Sequence, residues 1–145
     1  MKKIVVPVDF SAQNKKLISY AVDFAKMIHA KITLLHVASM DIGYAIGDLG
    51  YQYIPEVENT VLEDEAKKLD ELKIEVEQMG VSCERQLLQG IPSIAILDFV
   101  KKAHTDFLVV GSHGRSGFYD VFVGSLTKEL TQKAPIPVLV VPVHE

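Results

Sequence analysis

Apolar positions along the chain alternate between two periods. Lys3–Val8 is a short, nearly unbroken apolar run rich in β-branched residues, closed by Pro7, Asp9 and Ser11, and such a run reads as a strand buried on both faces. From Ser11 the spacing becomes helical: Leu17, Ile18, Ala21, Val22, Ala25 and Ile28 share one stripe, with Lys15, Lys16, Asp23 and Lys26 elsewhere. Ser11 is the expected N-cap, and the helix should run to about His29. Lys31–Ala38 (KITLLHVA) is the second predicted strand. Val57, Val61 or Leu62, Ala66, Leu69, Leu72, Val76 and Met79 mark a long amphipathic helix that ends near Gly80, a residue suited to a C-terminal cap. Val81–Leu88 follows as a third strand, more polar than the others and so placed nearer an edge. Pro92 opens a third helix carried by Ile94, Leu97 and Val100. Asp106–Val110 is the fourth strand, a short helix spans about Ser125 to Lys133, and Pro137–Val143 closes as the fifth strand.

Strands alternating with helices, several of them continuous apolar runs, predict βαβ units and a parallel sheet covered on both faces. Ser39–Pro55 stands outside this pattern. Its seventeen residues hold Gly43, Gly47, Gly50, Tyr44, Tyr51 and Tyr53 without a clear period, and loops of that length are usually functional or mobile.

Composition narrows the picture. A chain of 145 residues has room for one domain, 1–145, and no second core. Nineteen acidic against fifteen basic side chains give a net charge of −4, with no dense basic patch, so nucleic acid is not an expected partner. The one cysteine, Cys83, excludes an internal disulfide and any multi-cysteine metal site, and it is expected to pack as a small hydrophobe. The five-residue apolar stretch Ile4–Val8 is too short for a signal-peptide core or a membrane span. A cytoplasmic protein with no membrane partner is the expectation.

Open α/β sheets bind ligands beyond the carboxyl ends of their strands, where strand order reverses. After the fourth strand comes GSHGRSGFYDVFVGS, in which Gly111, Gly114, Gly124 and Ser125 have the form G-x2-G-x9-G-S. Chance would produce that pattern roughly once in 200 chains, given glycine at about 7% of residues. Between a buried strand and a helix it suits phosphate: glycines let the backbone approach closely, and the helix start offers unpaired N–H donors. There is no GxxxxGK[ST], and no GxGxxG follows the first strand.

These residues carry a resemblance. With KKIVVPVDFS at the N-terminus, KITLLHV, the Gly90-Ile91-Pro92 turn and DFLVVGSHGRSGFYDVFVGSLTKELTQKAPIPVLVVP, essentially the whole chain resembles the universal stress protein family. The resemblance implies a three-layer, Rossmann-like α/β fold of the adenine nucleotide alpha hydrolase-like type, with an open parallel five-stranded sheet in the order 3-2-1-4-5. The G-x2-G-x9-G-[ST] signature marks the ATP-binding branch, and every position of it is present here. By the same resemblance, Pro7, Val8 and Asp9 line the adenosine side, with Asp9 near the ribose hydroxyls or a phosphate-bound metal. Val37 offers backbone hydrogen bonds to the adenine edge. Gly111, Gly114, Gly124 and Ser125 hold the phosphates, and Leu126 follows them into the helix. Ser112, His113 and Arg115 lie within the stretch and join the candidate binding positions, although His113 and Arg115 are not signature residues and their roles stay open. The related ATP-pyrophosphatases use an SGGxDS loop that Asp9-Phe10-Ser11-Ala12 lacks.

The expected cofactor is ATP, with Mg2+ brought by the nucleotide. Phosphoryl transfer needs a metal, a positioned water and charge stabilisation; with no dedicated base and no lysine in the glycine stretch, at most slow hydrolysis and a regulatory role in stress response are expected. A competing reading starts from Pro137–Val143. An apolar edge strand is a template for pairing with another chain, and family members commonly dimerise through the fifth strand, so Val138, Leu139, Val140 and Val141 are the candidate contacts of a dimeric interaction module whose nucleotide is structural or absent. Pro142 limits how far that pairing extends. His36 is expected to be a hydrogen-bonded core histidine and Asp9 has an alternative role as a helix cap.

Overall fold

A computed structural model describes residues 1–113 and 124–143. In chain order the elements are β1 (Lys2–Pro7), α1 (Asn14–Ile28), β2 (Ala30–Ala38), β3 (Tyr44–Gly47), β4 (Gly50–Tyr53), α2 (Pro55–Gln78), β5 (Cys83–Gln89), α3 (Pro92–Lys102), β6 (Phe107–Gly111), α4 (Ser125–Lys133) and β7 (Val138–Val141). Five strands form one parallel sheet ordered β5-β2-β1-β6-β7. The labels differ from the expected 3-2-1-4-5 because the hairpin β3–β4 takes two numbers; counted within the large sheet alone, the order is the same.

The period-two alternation of the central strands builds both faces. Ile4, Val6 and Val8 of the first strand and its extension pack with Ile32 and Leu34 under Leu17, Ile18, Ala21 and Val22 of α1 and Leu69 and Val76 of α2. The intervening Val5, Leu35, Leu108 and Val110 pack under Ile96 and Val100 of α3 and Leu130 of α4. With apolar side chains required on both faces, these strands carry polar chemistry only where they end. Asp106 fixes the entry to β6: its carboxylate accepts the Lys3 N–H at 2.8 Å while its own N–H donates to the Lys3 carbonyl at 2.9 Å.

Two local expectations need correction. Ser39–Pro55 is not an irregular loop: β3 and β4 pair antiparallel from Tyr44↔Tyr53 to Gly47↔Gly50, leaving Asp48 and Leu49 as a two-residue connection, and Pro55 already begins α2. Gly50 takes φ +94° while Asp48 and Leu49 do not have positive φ, so the left-handed residue is the one that follows the connection, where a hairpin glycine bulge places it. Ser11 is not the N-cap of α1, which is Gln13 and makes no side-chain capping bond. The Ser11 carbonyl instead accepts the Asn14 N–H, so the chain makes a further turn before the helix begins.

The edge assignments hold. β5 and β7 end the sheet, although the β7 ladder stops at Val141 and not at Val143. Gly80, at φ +93°, follows the C-terminus of α2 as a left-handed residue. Cys83 is buried, and desolvation, followed by the nearby Glu77 carboxylate, pushes its thiol up to about 11. At neutral pH it is therefore a protonated thiol and behaves as an apolar side chain. Among the described residues, no helix is long and apolar enough to cross a membrane.

Candidate functional site

The strand order reverses between β1 and β6. Their ladder runs from Ile4↔Phe107 to Val5↔Leu108 only, although β1 continues to Pro7 and β6 to Gly111. The two strands therefore part before their carboxyl ends and open the crevice that places a ligand in such sheets.

On the β1 side, the half-buried Pro7 ends the strand and Val8 is buried. The Val8 N–H still donates to the Leu35 carbonyl at 2.8 Å, so the turn leaves the sheet only after Val8. Asp9 caps the turn and not the helix: its Oδ1 accepts the Ser11 N–H at 3.0 Å. Between them, Phe10 sits at φ +62°, a conformation that costs a non-glycine residue roughly 1–2 kcal/mol. That strain is offset by specific bonds. With its amide oriented to satisfy both ends, Asn14 accepts the Phe10 N–H at 2.6 Å and the Ser11 N–H at 3.1 Å.

On the β6 side, Gly111 meets the C-terminal segment closely: a Cβ there would lie 3.3 Å from both Val143 methyl carbons and 3.2 Å from the His113 carbonyl. Ser112 is buried and serves as a junction. Its N–H donates to Val141, its carbonyl accepts the Gly124 N–H at 2.8 Å, and its Oγ accepts the Val143 N–H at 3.2 Å and lies 3.0 Å from His113 Nδ1. Thr127, in the first turn of α4, donates through Oγ1 to the Gly111 carbonyl at 2.6 Å. The two ends of the segment 111–125 are thus bonded to each other. Gly114 and Arg115 lie outside the described residues.

Gly124 precedes α4, and the first α-helical bond there is Lys128 N–H to the Gly124 carbonyl. The N–H groups of Ser125, Leu126 and Thr127 precede that bond in the first turn of α4, and first-turn amides are the donors by which a helix start binds anions. Ser125 and Leu126 are exposed. Val37 lies in β2, two residues past Leu35, the partner of Pro7. The structure therefore brings Pro7, Val8 and Asp9 to one lip of the crevice, Gly111, Ser112, His113, Gly124, Ser125 and Leu126 to the other, and Val37 to the flank beyond β1. Among the described residues, no three His, Cys, Asp or Glu side chains converge as a metal site; Asp9 is a single carboxylate, suited to a metal that arrives with its own phosphate ligands.

Several supporting residues carry no sequence motif. Besides Asn14 and Thr127, His36 is a core histidine as expected, but it does more than fill space: Nδ1 lies 2.6 Å from the Val8 carbonyl and Nε2 lies 3.1 Å from Glu65 Oε2. The hairpin is anchored on the same flank as Val37. Tyr53 donates to Glu58 at 2.9 Å, which raises the Tyr53 phenol, and Gln89 donates to Glu58 and to the Ser39 carbonyl. A surface depression lined by Met1, Lys26, His29 and Gly80 lies at the amino-terminal ends of the strands, remote from this crevice, and the chemistry described here does not involve it.

Comparison with known proteins agrees with this fold. The model of the universal stress protein family matches residues 1–142. The chain is 31% identical over 144 residues to the universal stress protein YxiE of Bacillus subtilis, spanning 96% of this chain and 97% of that protein. The solved structure of MJ0577, a universal stress protein of Methanocaldococcus jannaschii, superposes with a TM-score of 0.81 at 27% identity and covers 97% of this chain and 95% of that one. A universal stress protein family member from Arabidopsis thaliana, solved with AMP bound, shares the fold with a TM-score of 0.66 at 23% identity, covering 98% and 92%.

Because Thr127 ties α4 to the end of β6, Thr127→Val should destabilise the protein by about 1–3 kcal/mol, the usual cost of leaving a buried acceptor unmet, whereas Thr127→Ser should recover most of it. Urea unfolding of the three proteins checks this.

Proposed function

Because the chain belongs to the universal stress protein family, we propose that it is an ATP-binding member, one domain over 1–145, that acts in the cytoplasm as a nucleotide-dependent regulator in stress response. One observation carries the reading. The complete G-x2-G-x9-G-[ST] pattern of Gly111, Gly114, Gly124 and Ser125 runs in sequence from β6 to α4, and Gly111, Gly124 and Ser125 stand on the lip facing Val8 and Asp9 across the point of strand reversal.

The phosphates would rest on the first-turn amides of α4 and on the glycine backbone, each amide–charge contact contributing roughly 0.3–1 kcal/mol. The adenosine would lie toward Pro7 and Val8, with its base edge reaching the backbone of Val37; AMP bound to the Arabidopsis protein indicates that this fold accommodates an adenine nucleotide. Mg2+ bound to the phosphates would meet Asp9, and its chemistry there is neutralisation of phosphate charge. Ser112 orients its neighbours through its buried bonds, and His113 and Arg115, which belong to the same glycine stretch of the sequence, would be candidate neighbours of the phosphates. Turnover would be slow at most. The segment from Gly111 to Ser125 contains one arginine and no lysine, whereas fast phosphoryl transfer needs strong stabilisation of the transferring group.

Equilibrium titration with Mg-ATP should give saturable binding to the wild type. A Gly114→Val, Gly124→Val double variant should bind at least about tenfold more weakly, a loss of about 1.4 kcal/mol. No binding to the wild type would favour the interaction module.

A dimer through β7 is the second part of the proposal, and it rests on the geometry of that edge. The Pro137 and Val141 carbonyls accept the Leu108 and Ser112 N–H groups, so the alternate residues Val138, Val140 and Pro142 turn their backbone away from β6. Pro142 has no N–H, which leaves Val138 and Val140 as outward donors. Val140→Pro removes one of these without touching the bonds to β6 and should yield a folded monomer, while Leu139→Pro, whose backbone faces β6, should destabilise the fold. Light scattering with a circular dichroism melt distinguishes the two; a Val140→Pro protein that stays dimeric overturns pairing through this edge.

A further inference from the structure

The turn that carries Val8 and Asp9 is held from beneath by a side chain that no ligand would touch. His36 lies on the face of β2 covered by α2, with only 9% of its surface exposed. Its Nδ1 is 2.6 Å from the Val8 carbonyl. A carbonyl only accepts, so Nδ1 bears the hydrogen. The other ring nitrogen then has a lone pair in the neutral imidazole, yet it faces Glu65 Oε2 at 3.1 Å, and that oxygen accepts no conventional hydrogen bond among the described residues. Glu65 thus flanks the far edge of the ring as a neighbouring carboxylate, while the hydrogen bond itself is made by Nδ1.

The surroundings lock the ring further. Phe10, in its left-handed conformation, lies over the imidazole with ring centroids 4.3 Å apart, and Lys68 Nζ sits 5.6 Å from the outer Phe10 ring centroid. Glu65 and Lys68 both come from α2, and Val8 and Phe10 from the turn. An aliphatic residue on β2 would fill the same volume and leave the Val8 carbonyl without its donor, so bulk alone does not account for a histidine here.

We propose that His36, oriented by Glu65, is the positioning residue of the nucleotide turn: by fixing the Val8 carbonyl it sets where the Val8 backbone and the Asp9 carboxylate stand at the lip of the crevice, and it does so without contacting the ligand. The inference rests on the reading that this turn borders the adenine nucleotide, and it names the part of the interior through which α2 reaches that site.

The test uses the two ends of the imidazole separately. In His36→Asn the side-chain amide takes the place of Nδ1 and keeps a donor for Val8; in His36→Gln it takes the place of Nε2 and keeps only the contact with Glu65. Mg-ATP affinity should stay near the wild-type value in His36→Asn and fall by about three- to tenfold, the effect of one hydrogen bond, in His36→Gln and in His36→Leu. Nitrogen NMR of the ring in the wild type should show a protonated Nδ1, and the Ser11 amide should lose exchange protection in His36→Leu but not in His36→Asn. An unprotonated Nδ1 overturns the proposal even if every variant fails to fold. Equal losses in His36→Asn and His36→Gln also overturn it, since packing would then be the whole effect. If the wild type binds no adenine nucleotide, the proposed function fails, while the ring signal and the Ser11 amide still decide whether His36 positions the turn.

Discussion

Burial of the central sheet on both faces is the constraint from which the rest of the structure follows. Ile4 and Val6 face one helical layer and Val5 the other, and Leu34 and Leu35 divide in the same way on β2. A strand so enclosed has no face on which to display a charged or reactive group without a large desolvation cost. Polar function is confined to the strand ends, and the reversal of order between β1 and β6 selects one pair of ends. The one polar residue admitted to this part of β2, His36, turns Nδ1 to the Val8 carbonyl and Nε2 toward Glu65.

The two lips of the crevice are built on different principles. The β6 side is almost entirely backbone: Gly111 packs too closely to Val143 to carry a side chain comfortably, and Ser112 spends its amide, carbonyl and hydroxyl on neighbouring segments. Donors presented by a helix start and by glycine backbone leave no mark on net charge, which is how a chain of net charge −4 can present an anion site. The β1 side instead depends on side chains. Phe10 is held in an unfavourable conformation by Asn14 and by its contact with His36, so this lip is stabilised by α1 and α2 together.

Much of this was legible in the residues because it depends on local pattern. The continuous runs in KITLLHVA and DFLVV, the Gly80 and Pro92 helix boundaries and the glycine spacing after β6 need no knowledge of distant partners. The hairpin had a signal that went unread: Tyr44 and Ile46 alternate with Ala45 and Gly47, Tyr51 and Tyr53 mirror them, and Gly47 and Gly50 bracket a two-residue turn, a pattern that favours a hairpin. What could not be read were the long-range polar bonds. Nothing in the spacing of Glu65 indicates that it faces a histidine on β2, nor does Thr127 announce that its hydroxyl closes a segment onto Gly111. The expected cap at Ser11 failed because its hydroxyl donates to Gln13 Oε1 and its carbonyl takes the Asn14 N–H across a further turn.

Amide hydrogen exchange of the full chain, measured with and without saturating Mg-ATP, tests the central claim most directly because it reports position as well as binding. The account predicts new protection confined to the turn of Val8, Asp9, Phe10 and Ser11, to the glycine stretch from Gly111 to Gly124, to Val37, and to the first turn of α4 at Ser125, Leu126 and Thr127. Protection at the amino-terminal edge around Lys26, His29 and Gly80, or no change anywhere in a protein that binds the nucleotide, would contradict it.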